Sequence, residues 1–137
     1  MEIETLKTPL YHINDNRTSE GSLSEIDLPA LIASLKRSYT WTKGEISTVI
    51  LLKSPEKKII LAAIHEGTEI ESFQSNDSVM YQIIEGRLQF HNGEDTVTLD
   101  KGQLMTFDEK SEYTITILEE TVILITISDS ISKASFN

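Results

Sequence analysis

The chain has 137 residues, no cysteine and a formal net charge of −10. That length suits one ordinary domain. The charge has the wrong sign for nucleic-acid phosphates or anionic membranes, and the missing cysteines exclude a disulfide framework.

Residues 1–44 read as a lead-in. Leu6, Leu10, Tyr11 and Ile13 are isolated anchors in a polar stretch, and 14–21 reads as loop. Met1 to Lys7 lacks the basic end and apolar run of a secretory signal, and no run of about 18 apolar residues occurs. A cytoplasmic location is the resulting expectation. The spacing of Leu28, Leu31, Ile32 and Leu35 predicts one short helix over 26–37. Asp27 suits its cap, Pro29 its first turn, and Lys36 and Arg37 its C-terminal end. Its apolar stripe should lie against the main domain or a partner subunit.

Residues 45–128 read as β almost throughout. Ile46–Leu52 and Ile59–Ile64 flank a turn signal at Ser54-Pro55-Glu56-Lys57. A strand over Glu69–Gln74 follows Gly67. Val79–Ile84 and Arg87–His91 flank Glu85-Gly86, which reads as a tight hairpin, and Asn92-Gly93-Glu94 reads as another. Thr96–Leu99, Leu104–Phe107, Tyr113–Leu118 and Thr121–Ile127 complete eight or nine short strands. Residues 129–137 read as a tail. No helix separates the strands, which excludes parallel βαβ units. A jelly roll, a closed antiparallel barrel and an immunoglobulin-like sandwich all fit the pattern.

Three groups of residues narrow that choice. They are Gly67, the segment Ile83-Ile84-Glu85-Gly86-Arg87-Leu88, and Val97-Thr98-Leu99-Asp100-Lys101-Gly102-Gln103-Leu104. With their spacing, the block Ile59–Ile127 resembles small single-domain members of the cupin superfamily. The lead-in from Asp27 to Trp41 is similar to that of small bacterial cupins. The resemblance implies an all-β double-stranded β-helix, a jelly-roll barrel with one short N-terminal helix.

In that family two histidines and a glutamate of the first motif, and a histidine of the second, hold a metal. The matching positions here are Phe73, Ser75, Val79 and Tyr113, and the usual proline and glycine of the second motif are Asp108 and Lys110. Phenyl and isopropyl groups cannot coordinate, and isolated hydroxyls are poor ligands. No metal and no other cofactor is therefore expected.

Strand alternation puts Phe73 with Ser75 on one face and Val79 with Tyr81 and Ile83 on another, and the resemblance implies that both sets face the barrel interior, joined by Tyr113, Ile115 and Ile117. Apolar walls with a few hydroxyls describe a ligand pocket, and a filled core has the same composition. The expected ligand-contacting set is Phe73, Ser75, Val79, Tyr81 and Tyr113.

The three histidines His12, His65 and His91 show no metal-pair spacing. Each reads as a surface or hydrogen-bonded residue, with a noncanonical site at His65 or His91 as the alternative. Glu69 and Glu71 share a face and read as solvated. No catalytic triad or phosphate loop is identifiable.

The primary reading is a metal-free small-molecule-binding or sensing module. The alternatives are a metal-independent isomerase or epimerase using tyrosine and histidine, and a structural dimer module in a larger assembly. The resemblance also implies a homodimer, with Met80, Gln82 and Ile84 on an outward face available for contact. No nucleic-acid or membrane partner is expected.

Overall fold

The computed structural model describes residues 25–72, 77–108 and 111–128. Helix α1 spans Leu28–Leu35, with the Asp27 side chain accepting the Ala30 N–H at 3.1 Å and Pro29 in the first turn. A second helix, α2 (Tyr39–Thr42), follows at once, capped by Ser38. The single helix expected over 26–37 is thus shorter and is joined by another. Lys36 caps the end of the first, and Ser38 starts the second through its hydroxyl, which accepts the Trp41 N–H at 3.2 Å.

Seven strands follow: β1 (Ser47–Lys53), β2 (Lys57–Ile64), β3 (Glu69–Glu71), β4 (Ser78–His91), β5 (Thr96–Asp100), β6 (Leu104–Phe107) and β7 (Thr114–Ser128). All pairings are antiparallel, in the order β1-β2-β7-β4-β5, with β3 added to β7 and β6 added to β4. The sheet is not closed into a continuous ring, so the closed-barrel alternative does not hold.

One expected hairpin and one expected strand break are absent. Glu85-Gly86 is no hairpin but lies inside the 14-residue β4, and Leu118–Thr121 lies inside the 15-residue β7. Both strands bend there instead. Tyr81 and Phe90 are nine positions apart, a span of about 30 Å in a straight strand. Their ring centroids are 5.2 Å apart, so β4 folds back across the core.

The bend is a bulge. The β4–β7 register shifts between Ile83 and Glu85, again to Arg87, and again to Leu88. Each half of β4 consequently buries a different parity: Val79, Tyr81 and Ile83 before the bulge, Leu88 and Phe90 after it. Gly86, at φ 97°, passes over β7 where any Cβ would lie 2.7 Å from the Thr121 Cα and closer still to the Glu120 carbonyl oxygen. Only glycine tolerates both demands. The fully buried Thr121 hydroxyl restores lost ladder bonds, accepting the Arg87 N–H at 3.1 Å and donating to the Glu119 carbonyl at 2.6 Å.

The first half of β4 and the second half of β7 join β1, β2 and β6. The other halves join β3 and β5. The two layers enclose the main core, from Ile60, Ala62 and Ile64 across to Leu88, Phe90, Ile115 and Ile117. A second cluster forms outside β1, β2 and β7, where Val49, Leu61, Ala63 and Val122 lie beneath Leu35 of α1. The apolar stripe of α1 therefore packs on the sheet as expected. Burial on both faces explains why Ile60–Ile64 is continuously apolar rather than alternating.

Candidate binding site at the mouth of the barrel

The ends of β4 and β7 meet away from the bend, and there the interior is aromatic. Tyr81, Phe90, Phe107 and Tyr113 form one cluster, with Phe107 stacked on Tyr113 at 3.8 Å and Tyr81 edge-on to Tyr113. The two phenol hydroxyls are 2.8 Å apart in one hydrogen bond. Val79, Tyr81 and Tyr113 are all buried in the main core. The alternation argument thus places these three together, inward, on a packed aromatic floor. Phe73 and Ser75 lie outside the described residues, as does His12.

Burial disfavours the phenolate form, pushing Tyr113 up to about 12 and Tyr81 well above the usual tyrosine value. The negative charge Tyr113 would acquire, and its hydrogen bond, also hold Tyr81 up. At neutral pH both are therefore hydrogen-bonding phenols, unsuited to act as bases.

Beside Tyr113 opens a cleft of about 420 Å³, lined also by Glu71, Ser72, His91, Asn92, Gly93, Glu112 and Thr114. Strand register builds it. Glu71 and His91 both pair with Thr114, from opposite sides, so the three form one row across β3, β7 and β4. Ser72 is fixed just beyond β3: its N–H donates to the Tyr113 carbonyl at 2.9 Å and its hydroxyl accepts the Tyr113 N–H at 3.1 Å. Asn92 shapes the β4–β5 hairpin by accepting the Glu94 and Asp95 N–H groups on its side-chain oxygen.

Apart from Tyr113, and His91 as an alternative, this set was not read from the sequence as a site. Glu71 counted as half of a solvated pair with Glu69, and His91 as a surface or hydrogen-bonded histidine with a noncanonical site as its alternative. Glu71 and His91 are neighbours only through Thr114, a relation invisible until the register is known.

His65 lies elsewhere. Its ring stacks on Trp41 with centroids 3.5 Å apart, and its Nε2 is 3.2 Å from the Trp41 carbonyl. It is a hydrogen-bonded packing residue, one of the two roles expected of it. Among the described residues no three His, Cys, Asp or Glu side chains converge closely enough to hold a metal ion. At the described positions of the family's metal set, Val79 offers no donor atom and the Tyr113 hydroxyl is engaged with Tyr81. These residues do not fit the metal of the fold family. Nor is any described helix long and apolar enough to cross a membrane.

No family model matches the sequence, and no curated protein matches it. Solved structures do. The EutQ protein of Clostridium difficile is similar with a TM-score of 0.63 at 17% identity, over 84% of this chain and 93% of that one. A cupin-2 domain protein of Shewanella frigidimarina gives 0.60 at 15% identity, over 74% and 91%. KdgF of Halomonas sp. gives 0.57 at 12% identity, over 61% and 79%. At such identities the likeness speaks for architecture alone, and with the folded-over antiparallel sheet it establishes that this chain is a small domain of cupin fold.

Proposed function

We propose that the protein binds a small polar molecule in the mouth cleft, as a binding or sensing module that uses no metal. One observation carries this reading. The interior is filled by four aromatic rings, while an open, polar-lined cleft of about 420 Å³ lies against Tyr113. A concave site with a few convergent polar groups on a rigid frame is the usual form of a ligand site. The raised tyrosine values favour binding over an isomerase mechanism with a tyrosine base, since a phenol held protonated orients a ligand but does not abstract its proton.

The test is amide-resolved NMR of the protein with a panel of small metabolites. Shifts centred on Glu71, Ser72, Asn92 and Thr114 are expected for any ligand of the panel that binds. A ligand whose shifts map to α1 and β1 instead would overturn the assignment of the site.

The filled interior also favours a second reading, a structural module that acts as a homodimer. Met80, Gln82 and Ile84 are half-buried on the outward face of β4, and beside them Leu104 of β6 is 51% exposed. Native mass measurement of the full chain tests it. A dimer weakened by Leu104→Glu is the expected result, and a monomer at all concentrations removes this reading.

A further inference from the structure

We propose that the protein pairs with a second copy of itself along the free edge of β6, antiparallel, about a two-fold axis at Met105. This rests on the homodimer reading and names its interface. Three features of the edge carry it.

The first is which backbone groups it leaves open. β6 pairs with β4 alone. The Ile83 N–H donates to the Gln103 carbonyl at 2.9 Å, and the Ile83 carbonyl accepts the Gly102 N–H at 2.8 Å. Ladder bonds fall on alternate residues, so the next are exchanged by Tyr81 with Met105 and by Val79 with Phe107. The N–H and carbonyl groups of Leu104 and Thr106 therefore point away from β4. Nothing among the described residues receives them. Both residues are exposed.

The second is that this edge is unguarded. Edge strands are commonly protected by charge, by proline or by a covering segment. β3 carries Glu69 and Glu71, and on β5 the Asp100 N–H is taken by the Gln103 side chain at 2.7 Å. β6 reads Leu-Met-Thr-Phe, uncharged in a chain of net charge −10. Two acidic copies repel one another least where neither carries charge.

The third is self-complementarity. The register that uses the open groups of both residues sets Leu104 opposite Thr106 of the second copy, and Met105 opposite Met105 on the axis. It also sets Asp108 opposite Gly102 of the second copy, beside Lys101. Neither Lys101 nor Asp108 has an ion-pair partner among the described residues. Leu104 lies opposite Gln82 on the outward face, so the pairing continues that face across the axis. So short an edge predicts a weak dimer, with a Kd on the order of micromolar.

Two variants of the full chain test the pairing. Thr106→Pro deletes an outward donor and no ladder bond to β4, a place where edge strands accept proline. It should weaken the dimer at least about tenfold in sedimentation, while Thr106→Val has no effect. The chain has no cysteine, so Met105→Cys introduces a single one. Opposed residues outside the hydrogen-bonded pairs lie about 4.5 Å apart, within disulfide reach. Air oxidation should link Met105→Cys into a covalent dimer and leave Leu104→Cys, which faces Thr106, unlinked. A natural chain that is monomeric at every concentration removes the edge pairing and the dimer reading together. A dimer that survives Thr106→Pro, with Met105→Cys unlinked, removes the edge pairing and leaves the dimer reading standing.

Discussion

The bend and the mouth of this barrel are built in opposite ways. At the bend polar groups are paired: Lys36 bridges Glu85 at 3.1 Å and Glu120 at 2.8 Å, Arg87 meets Asp100 at 2.7 Å, and Thr121 replaces the ladder bonds the bulge removes. At the mouth Glu71 and Glu112 line an open cleft and meet no cation among the described residues. The bend is where the fold is specified. The mouth keeps polar groups available, as a site that must exchange water for a ligand does.

The sharpest way to break this contrast is Gly86→Ala. The new methyl group meets backbone and needs φ 97° besides, so a loss of about 3 kcal/mol or more is expected in urea unfolding. A loss below about 1 kcal/mol would mean the bulge has slack and the bend is not the rigid end.

Next in size are the tyrosines. Tyr81→Phe or Tyr113→Phe alone should cost about 1–3 kcal/mol by leaving the other hydroxyl buried without its partner. The double replacement should cost less than the sum of the two, a coupling of about 1 kcal/mol or more in the mutant cycle. Additive costs would mean the two hydroxyls are not coupled.

The same pair sets a pH dependence. Both folded values lie above the free tyrosine value of about 10. Their contribution to stability is therefore fully present below about pH 10 and is lost as pH rises through about 12. Unfolding curves across that range should show the loss in the natural protein and not in the double phenylalanine variant.

A smaller effect is expected at the helix. Asp27→Ala removes the cap of α1 and should cost about 1 kcal/mol. Smallest is Glu71→Gln, which should change stability by less than about 0.5 kcal/mol while weakening ligand binding. A large destabilisation there would show that the mouth, too, is built for stability.

Much of the fold was legible in the residues. Asp27 and Pro29 announce α1, Ser54-Pro55-Glu56-Lys57 turns β1 into β2, and Asn92-Gly93 turns β4 into β5. Glu85-Gly86 misled because a glycine between two apolar runs signals a hairpin and a bulge alike. In both, the buried parity changes, as it does here from Tyr81 to Leu88. The inward set Val79, Tyr81 and Tyr113 followed from alternation together with the cupin resemblance. The row Glu71–Thr114–His91 did not, since it joins three strands whose register is fixed by the folded sheet.

The stack of Trp41 on His65 has a practical consequence. Trp41 is the one tryptophan of the chain, and it belongs to the cluster outside β1 and β2 rather than to the aromatic interior. Its emission is thus an optical gauge of how firmly the helical cover sits on the sheet. The mouth has its own chromophores in Tyr81 and Tyr113. Tyr39 of the cover shares their absorption, so Trp41 emission, not the tyrosine signal, tells whether a perturbation enters through the cover.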